Sequence, residues 1–184
     1  MIQSLYEPFK KWSENGAVYI ISDTHFGDPD CQIMNPNWPD PECAVRVINS
    51  VVTKNDTLVI LGDVGDEHFV SSINAGYKVL VCGNHDKGAS RYMNGLFDEV
   101  YTGPLVIGEK LLLSHEPIYL PFVTNIHGHV HGAPMRYKNV FGCNCLNLAS
   151  DVCGFKPINL WVEIKNGLLS DTQSIHRLTI DKRI

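Results

Sequence analysis

Short apolar runs punctuate the first two thirds of the chain: AVYIIS at 17–22, DTLVIL at 56–61, KVLVC at 78–82, EKLLLS at 109–114 and VTNI at 123–126. They are brief and rich in β-branched and apolar residues, as strands buried on both faces are. Strands are therefore predicted at 17–22, over the runs at 56–61 and 78–82, and at 98–101, 104–107, 110–114, 123–127, 145–148, 158–164 and 174–180. A helix is predicted over residues 2–13 and another from Pro41 or Glu42 to about Val52, whose Ala44, Val45, Ile48, Val51 and Val52 share one face. A shorter helix is expected at 67–75. Asn15-Gly16 reads as a turn, and the segment from Phe26 to Pro41, dense in Pro, Asn and Asp, reads as a loop. Helices concentrated early and strands later predict an α/β (α+β) fold of two packed sheets flanked by helices, with residues 1–184 forming one domain.

Polar residues of specific type stand at the ends of these runs. Asp23-Thr24-His25, Gly62-Asp63, Gly83-Asn84-His85-Asp86, His115 and Gly128-His129-Val130-His131 each begin where a run ends. Ligands in open α/β sheets collect at the carboxyl ends of strands, so carboxylate, imidazole and amide groups should converge on one sheet edge. In extended chain, residues two apart share a face about 7 Å from each other, which lets Asp23 and His25 reach one ion and His129 and His131 two neighbouring ones. Asp63 has two carboxylate oxygens and could bridge ions held about 3.5–4 Å apart. Taken singly, each piece also has a structural explanation: Gly supplies unusual dihedrals in strand-to-helix turns, and Asp or Asn caps helices.

Composition narrows the picture. With 44% apolar and 19% charged residues over 184 positions, the chain has the makings of one sizeable core. A net charge of −5 and the lack of a Lys/Arg cluster argue against stable duplex nucleic-acid binding, although bound cations would make a pocket locally positive. No apolar run approaches the roughly 18 residues of a membrane span, and the start lacks a signal-peptide core, so no membrane partner and a cytoplasmic location are expected. The six cysteines include no CxxC pair and are read as reduced thiols, with Cys143, Cys145 and Cys153 left open as a metal group.

In order and type, the five polar elements resemble the calcineurin-like metallophosphoesterases, whose pattern runs DxH, GD, GNH(D/E), H, GHxH. The stretch from Leu146 to Leu160 is similar to the end of small prokaryotic and phage members. The resemblance implies a four-layer αββα sandwich of two mixed sheets. It implies one ion held by Asp23, His25, Asp63 and His131, and a second by Asp63, Asn84, His115 and His129. Two divalent transition-metal ions are expected, manganese first, with iron, zinc, cobalt or nickel compatible with the same donors. The implied reaction is in-line attack on phosphorus by a metal-bound hydroxide. The resemblance also implies that His85, in the GNH position, acts as general acid, and that Asp66, matching GDxxD, supports it against the nearby dications that favour a neutral imidazole. Asp86 is the competing partner, and a helix cap is the structural alternative for Asp66.

A small phosphoester is the expected substrate, a phosphodiester or nucleotide phosphoester ahead of a phosphomonoester. The alternative is a non-catalytic binding or scaffold module that keeps the fold. Many small relatives carry a histidine where this chain has Asp28, so Asp28 and Asp30 are either metal donors or solvated loop carboxylates. His68 lies near the pocket or on a helix surface, His127 is a candidate partner of a ligand, and His176 reads as exposed. Phe26, Met34 and Trp38 either rim the site or pack beneath the loop.

Overall fold

The computed structural model describes residues 3–4 and 11–172. Among them, β2 (Val18–Ile21), β3 (Thr57–Ile60), β4 (Tyr77–Val81) and β5 (Glu99–Tyr101) run parallel, with β11 (Ile158–Asn159) antiparallel along the β2 edge. The second sheet has the order β1-β6-β7-β8-β10-β9. Its strands are β1 (Gln3–Ser4), β6 (Leu105–Ile107), β7 (Leu111–Leu113), β8 (Thr124–His127), β9 (Arg136–Lys138) and β10 (Asn144–Asn147). Here β7, β8 and β10 are mutually parallel, while β6 and β9 run against them. Both sheets are mixed, as expected.

Period-2 alternation explains how each strand serves two layers. Val18, Ile20, Val59, Leu61, Val79 and Val81 point inward and meet Leu105, Ile107, Leu111, Leu113, Ile126 and Leu146 of the other sheet. Their neighbours Ile21, Leu58, Ile60 and Leu80 point outward onto Ala44, Val45 and Ile48 of the helix Pro41–Asn49. That helix starts where it does because the Asp40 side chain accepts the Cys43 amide at 2.6 Å and Pro41 opens the first turn. Ile48 is fully buried, and truncating it to Ala would cost about 2–5 kcal/mol. The outer face of the six-stranded sheet carries a smaller cluster, Val106, Leu112 and Val123, roofed by Ile118 and Leu120 from a connection rather than by a helix.

Several expectations need correction. Within the predicted helix 2–13, Gln3–Ser4 pairs with β6 as a strand, and residues 5–10 lie outside the described part. The predicted strand 158–164 turns helical after two residues: the Asn159 side chain accepts the amides of Trp161 and Val162 and starts the helix Leu160–Lys165. An N-cap Asn outweighed the β-forming run beyond it. The segment read as a loop holds a short helix, Pro29–Met34, capped by Asp28. The predicted helix 67–75 is a 3-10 turn, Glu67–Ser72. The strand predicted at 174–180 lies outside the described residues.

The parallel strands place all their carboxyl ends on one edge. There the sheets are joined by a parallel bridge between Ser22 and Ala149, with the Ser22 amide donating to the Leu148 carbonyl at 2.9 Å and Ser150 Oγ to the Ser22 carbonyl at 2.7 Å.

Candidate metal centre

Backbone hydrogen bonds zip the loops after β2 and β3 together. Asp23 N donates to the Gly62 carbonyl at 3.0 Å, His25 N to Asp63 at 2.9 Å and Phe26 N to Val64 at 2.9 Å. This pairing holds Asp23 (φ 55°), His25 (φ 39°) and Asp63 (φ 52°) in left-handed conformations they would not choose, and His129 (φ 67°), whose amide donates to Asp23 Oδ2 at 2.9 Å, is left-handed as well. Such residues cost about 1–3 kcal/mol each and persist where surrounding structure over-determines them. Neighbouring glycines leave the room. A Cβ on Gly83 would collide with Asp63 Oδ1, and one on Gly128 with Ser22 Oγ and Asp23 Oδ2.

Among the described residues, three groups of donors have ligand atoms within 4.8 Å of one another: Asp23, His25 and His131; Asp63, His115 and His129; and His25, Asp28 and Cys31. The first brings together three of the residues expected at one ion, and the second three of those expected at the other. Asn84 joins the second group, its Oδ1 2.8 Å from His115 Nε2. Asp63 lies between the two. Its Oδ2 is 3.2 Å from His115 Nε2 and 3.8 Å from His25 Nε2, while its Oδ1 accepts the His85 amide at 2.9 Å.

The fit to cations rests on Asp23. This residue is completely buried, and its Oδ1 has no hydrogen-bond partner. Around that oxygen stand His131 Nε2 at 3.7 Å, His25 Nε2 at 3.9 Å and His115 Nδ1 at 4.0 Å, too long for hydrogen bonds. A buried carboxylate oxygen without a partner is strongly unfavourable unless a positive charge compensates it. Carboxylates, imidazoles and one amide oxygen, with no thiolate, suit divalent transition metals. In the third group, burial pushes the Cys31 thiol up to about 12.

Imidazole orientation is set from behind. His115 Nδ1 donates to the Leu61 carbonyl at 2.8 Å, which leaves Nε2 for a ligand. His131 Nδ1 lies 2.8 Å from Asp151 Oδ1. Burial pushes the His115 pKa down, but the hydrogen bond to Asp63 and the charges of Asp23 and Asp63 outweigh it and hold the value at about 9 without ions.

Other residues fall away from the donors. His127 is fully buried, with Nδ1 2.8 Å from the Gly128 carbonyl and Nε2 2.7 Å from the Tyr137 hydroxyl, a structural pairing. Asp86 accepts the amides of Asp63 at 2.8 Å, Val64 at 3.1 Å and Gly83 at 2.7 Å, and the Tyr92 hydroxyl at 2.9 Å, so it ties two ligand loops together and does not serve His85. Asp66 caps the 3-10 turn and pairs with His68; among the described residues it makes no hydrogen bond to His85. His85 is exposed, its ring edge-on to His25 at 5.7 Å. Trp38 is buried against His25 (6.0 Å between ring centroids), His131 (5.9 Å) and Phe155 (4.9 Å), walling one donor group, whereas Phe26 packs into the outer core. Met34 and Asp30 are exposed.

A family model described as calcineurin-like phosphoesterase matches residues 16–159, which include every ligand candidate. The chain belongs to the calcineurin-like phosphoesterase family. No curated protein matches it. Among solved structures, a protein of unknown function, AQ665 from Aquifex aeolicus, is similar at 27% identity and a TM-score of 0.65, over 82% of this chain and 98% of that one. The nuclease MPE of Pseudomonas putida is similar at 20% identity and a TM-score of 0.41, over 62% of this chain and 61% of that one. In this calcineurin-like phosphoesterase, Asp151 is the site residue that sequence reasoning passed over. It sits in the stretch already matched to small members, but no local motif pairs it with His131, twenty positions away.

Proposed function

We propose that the protein is a dinuclear-metal phosphoesterase that hydrolyses phosphodiester or nucleotide-type phosphoesters. The observation that carries this reading is Asp63 Oδ2, within 4 Å of one histidine from each donor group. Asp23, His25, Asp63 and His131 would hold one ion, and Asp63, Asn84, His115 and His129 the other. Divalent ions, when bound, would supply Lewis acidity and water acidic enough to attack phosphorus near neutral pH. The protein supplies the rest. Asp63 fixes the spacing of the two positions, and its hydrogen bond from the His85 amide fixes where His85 begins. Exposed at the mouth, the His85 imidazole gives a proton to the departing oxygen, worth typically about 10²- to 10⁴-fold. Trp38 shields one flank from water. Within the described residues no helix is long and apolar enough to cross a membrane.

The test is a matrix of Mn²⁺, Fe²⁺, Zn²⁺, Co²⁺ and Ni²⁺ against bis-p-nitrophenyl phosphate, p-nitrophenyl phosphate, 2′,3′-cyclic nucleotides and nucleoside polyphosphates, with Asp63→Asn alongside. Turnover of a diester or nucleotide that Asp63→Asn abolishes, together with weaker binding of both ions, supports the reading. Turnover of the monoester alone makes the protein a phosphomonoesterase. Stoichiometric metal without turnover on any substrate makes it a non-catalytic module of the family.

A further inference from the structure

The two donor groups are backed differently. His131 Nδ1 meets Asp151 Oδ1 at 2.8 Å, and Asp151 is itself anchored, its Oδ2 accepting the Gly132 amide at 3.0 Å. His25 Nδ1 lies 3.4 Å from Asp28 Oδ2, while Asp28 Oδ1 is held by the Asp30 amide at 3.0 Å. Both histidines of this group thus have a carboxylate behind them. In the other group, His115 is backed by the neutral Leu61 carbonyl, and His129 pairs with no carboxylate among the described residues. Asn84 there is neutral as well. As ligands or behind ligands, one position gathers Asp23, Asp28, Asp63 and Asp151; the other has Asp63, with Asp23 reaching it only through the His129 amide at 2.9 Å and at 4.0 Å from His115 Nδ1.

We infer that Asp28 and Asp151 are positioning residues that make the two ion positions unequal, so that the position of Asp23, His25 and His131 fills first and empties last. This rests on the two-ion reading above. A carboxylate on the far nitrogen of an imidazole fixes its tautomer and raises its basicity as a ligand, and removing such a partner weakens metal binding by about 10- to 100-fold. Coulomb attraction between a dication and the two extra carboxylates acts in the same direction. Asp151 is the stronger partner because its contact is shorter, 2.8 Å against 3.4 Å.

The experiment is equilibrium dialysis of Mn²⁺ against the ion-stripped full-length chain, with anomalous diffraction from crystals loaded with one equivalent. The wild type should show a tight and a weak class at least tenfold apart, with the first ion beside Asp23, His25 and His131. Asp151→Asn should weaken the tight class about 10- to 100-fold and leave the weak class in place, with Asp28→Asn milder in the same class. A first ion found beside Asn84, His115 and His129, or equal weakening of both classes, overturns the inference while leaving two-ion binding intact. The wild-type diffraction result decides the order of filling even if a variant folds badly. Binding of fewer than two ions by the wild type is a separate outcome that overturns both this inference and the dinuclear reading.

Discussion

Asp66 Oδ1 lies 2.7 Å from His68 Nδ1 and also accepts the His68 amide at 3.0 Å, so the carboxylate expected to support His85 grips its own turn. The hydrogen bond that His68 Nδ1 donates to Asp66 raises the His68 pKa above the ordinary 6.5, and the bonds Asp66 accepts from the His68 amide and ring lower its own below 3.8. A raised histidine contributes stability that is complete below 6.5 and lost as pH rises through the folded value. A lowered carboxylate contributes above 3.8 and loses it as pH falls through the folded value. The pair therefore acts across mildly acidic to neutral pH, and solvent screening keeps its effect small because His68 is 87% exposed. In an NMR titration, Asp66→Asn should return His68 toward its ordinary value and leave His85 unmoved. An equal shift of both imidazoles would restore Asp66 as the partner of His85.

Why was this pairing hidden when the convergence of the candidate ligands was not? The candidate ligands come just after strands buried on both faces, and continuous apolar runs such as Leu58–Leu61 end abruptly before the polar residue in question. Close spacing in sequence kept Asp23 with His25 and His129 with His131 in view, although the chain there is not extended as expected: Asp23, His25 and His129 are left-handed and held so by hydrogen bonds to neighbouring loops. Partners of ligands depend on which loops meet. Asp151 reaches His131 only because Ser22 and Ala149 join the two sheets at that edge. The choice of Asp66 for His68 over His85 is one of side-chain direction, which a GDxxD spacing does not encode. The fold was illegible where a single cap decided: Asn159 made a helix from β-branched and aromatic residues, and Asp28 with Pro29 made one inside a polar segment.

The division of ligands predicts different losses from two single substitutions. His25→Ala should deplete the ion of Asp23 and His131, and His115→Ala the ion of Asn84 and His129, each keeping the other ion at reduced affinity because Asp63 is shared. Anomalous scattering at two metal edges reads the occupancy of each position. Loss of the same ion from both variants would show that the groups near Asp63 form one site.

Asp86 predicts a loss of stability from a residue outside the ligand set. It is 5% exposed and accepts three backbone amides and the Tyr92 hydroxyl. Asp86→Ala would leave those donors buried without partners, and a lost buried partner costs about 1–3 kcal/mol, so destabilisation of about 3 kcal/mol or more is expected in urea unfolding. Tyr92→Phe removes the hydroxyl that donates to Asp86 and accepts from Arg91, and should cost less, about 1–2 kcal/mol. Because Asp86 ties the loops carrying Asp63 and Asn84, the Ala variant should also bind both ions more weakly. Near-native stability for Asp86→Ala would mean that water replaces the carboxylate and that the loops hold without it.

His85 separates acid catalysis from ion binding. Its amide is tied to Asp63 Oδ1 at 2.9 Å, yet its ring is exposed and belongs to none of the donor groups. His85→Ala should therefore retain both ions. If the imidazole protonates the leaving oxygen, activity should fall by about 10²- to 10⁴-fold on esters of alkoxides, which depart poorly without a proton. On p-nitrophenyl esters the loss should be much smaller, because that leaving group needs little protonation. The ratio of kcat/KM between the two substrate types isolates the proton from general damage to the site, since a misfolded or ion-depleted variant loses both alike. Equal losses on both leaving groups with ions retained would instead make His85 a phosphate-binding residue, and the proton would have to come from another group at the mouth.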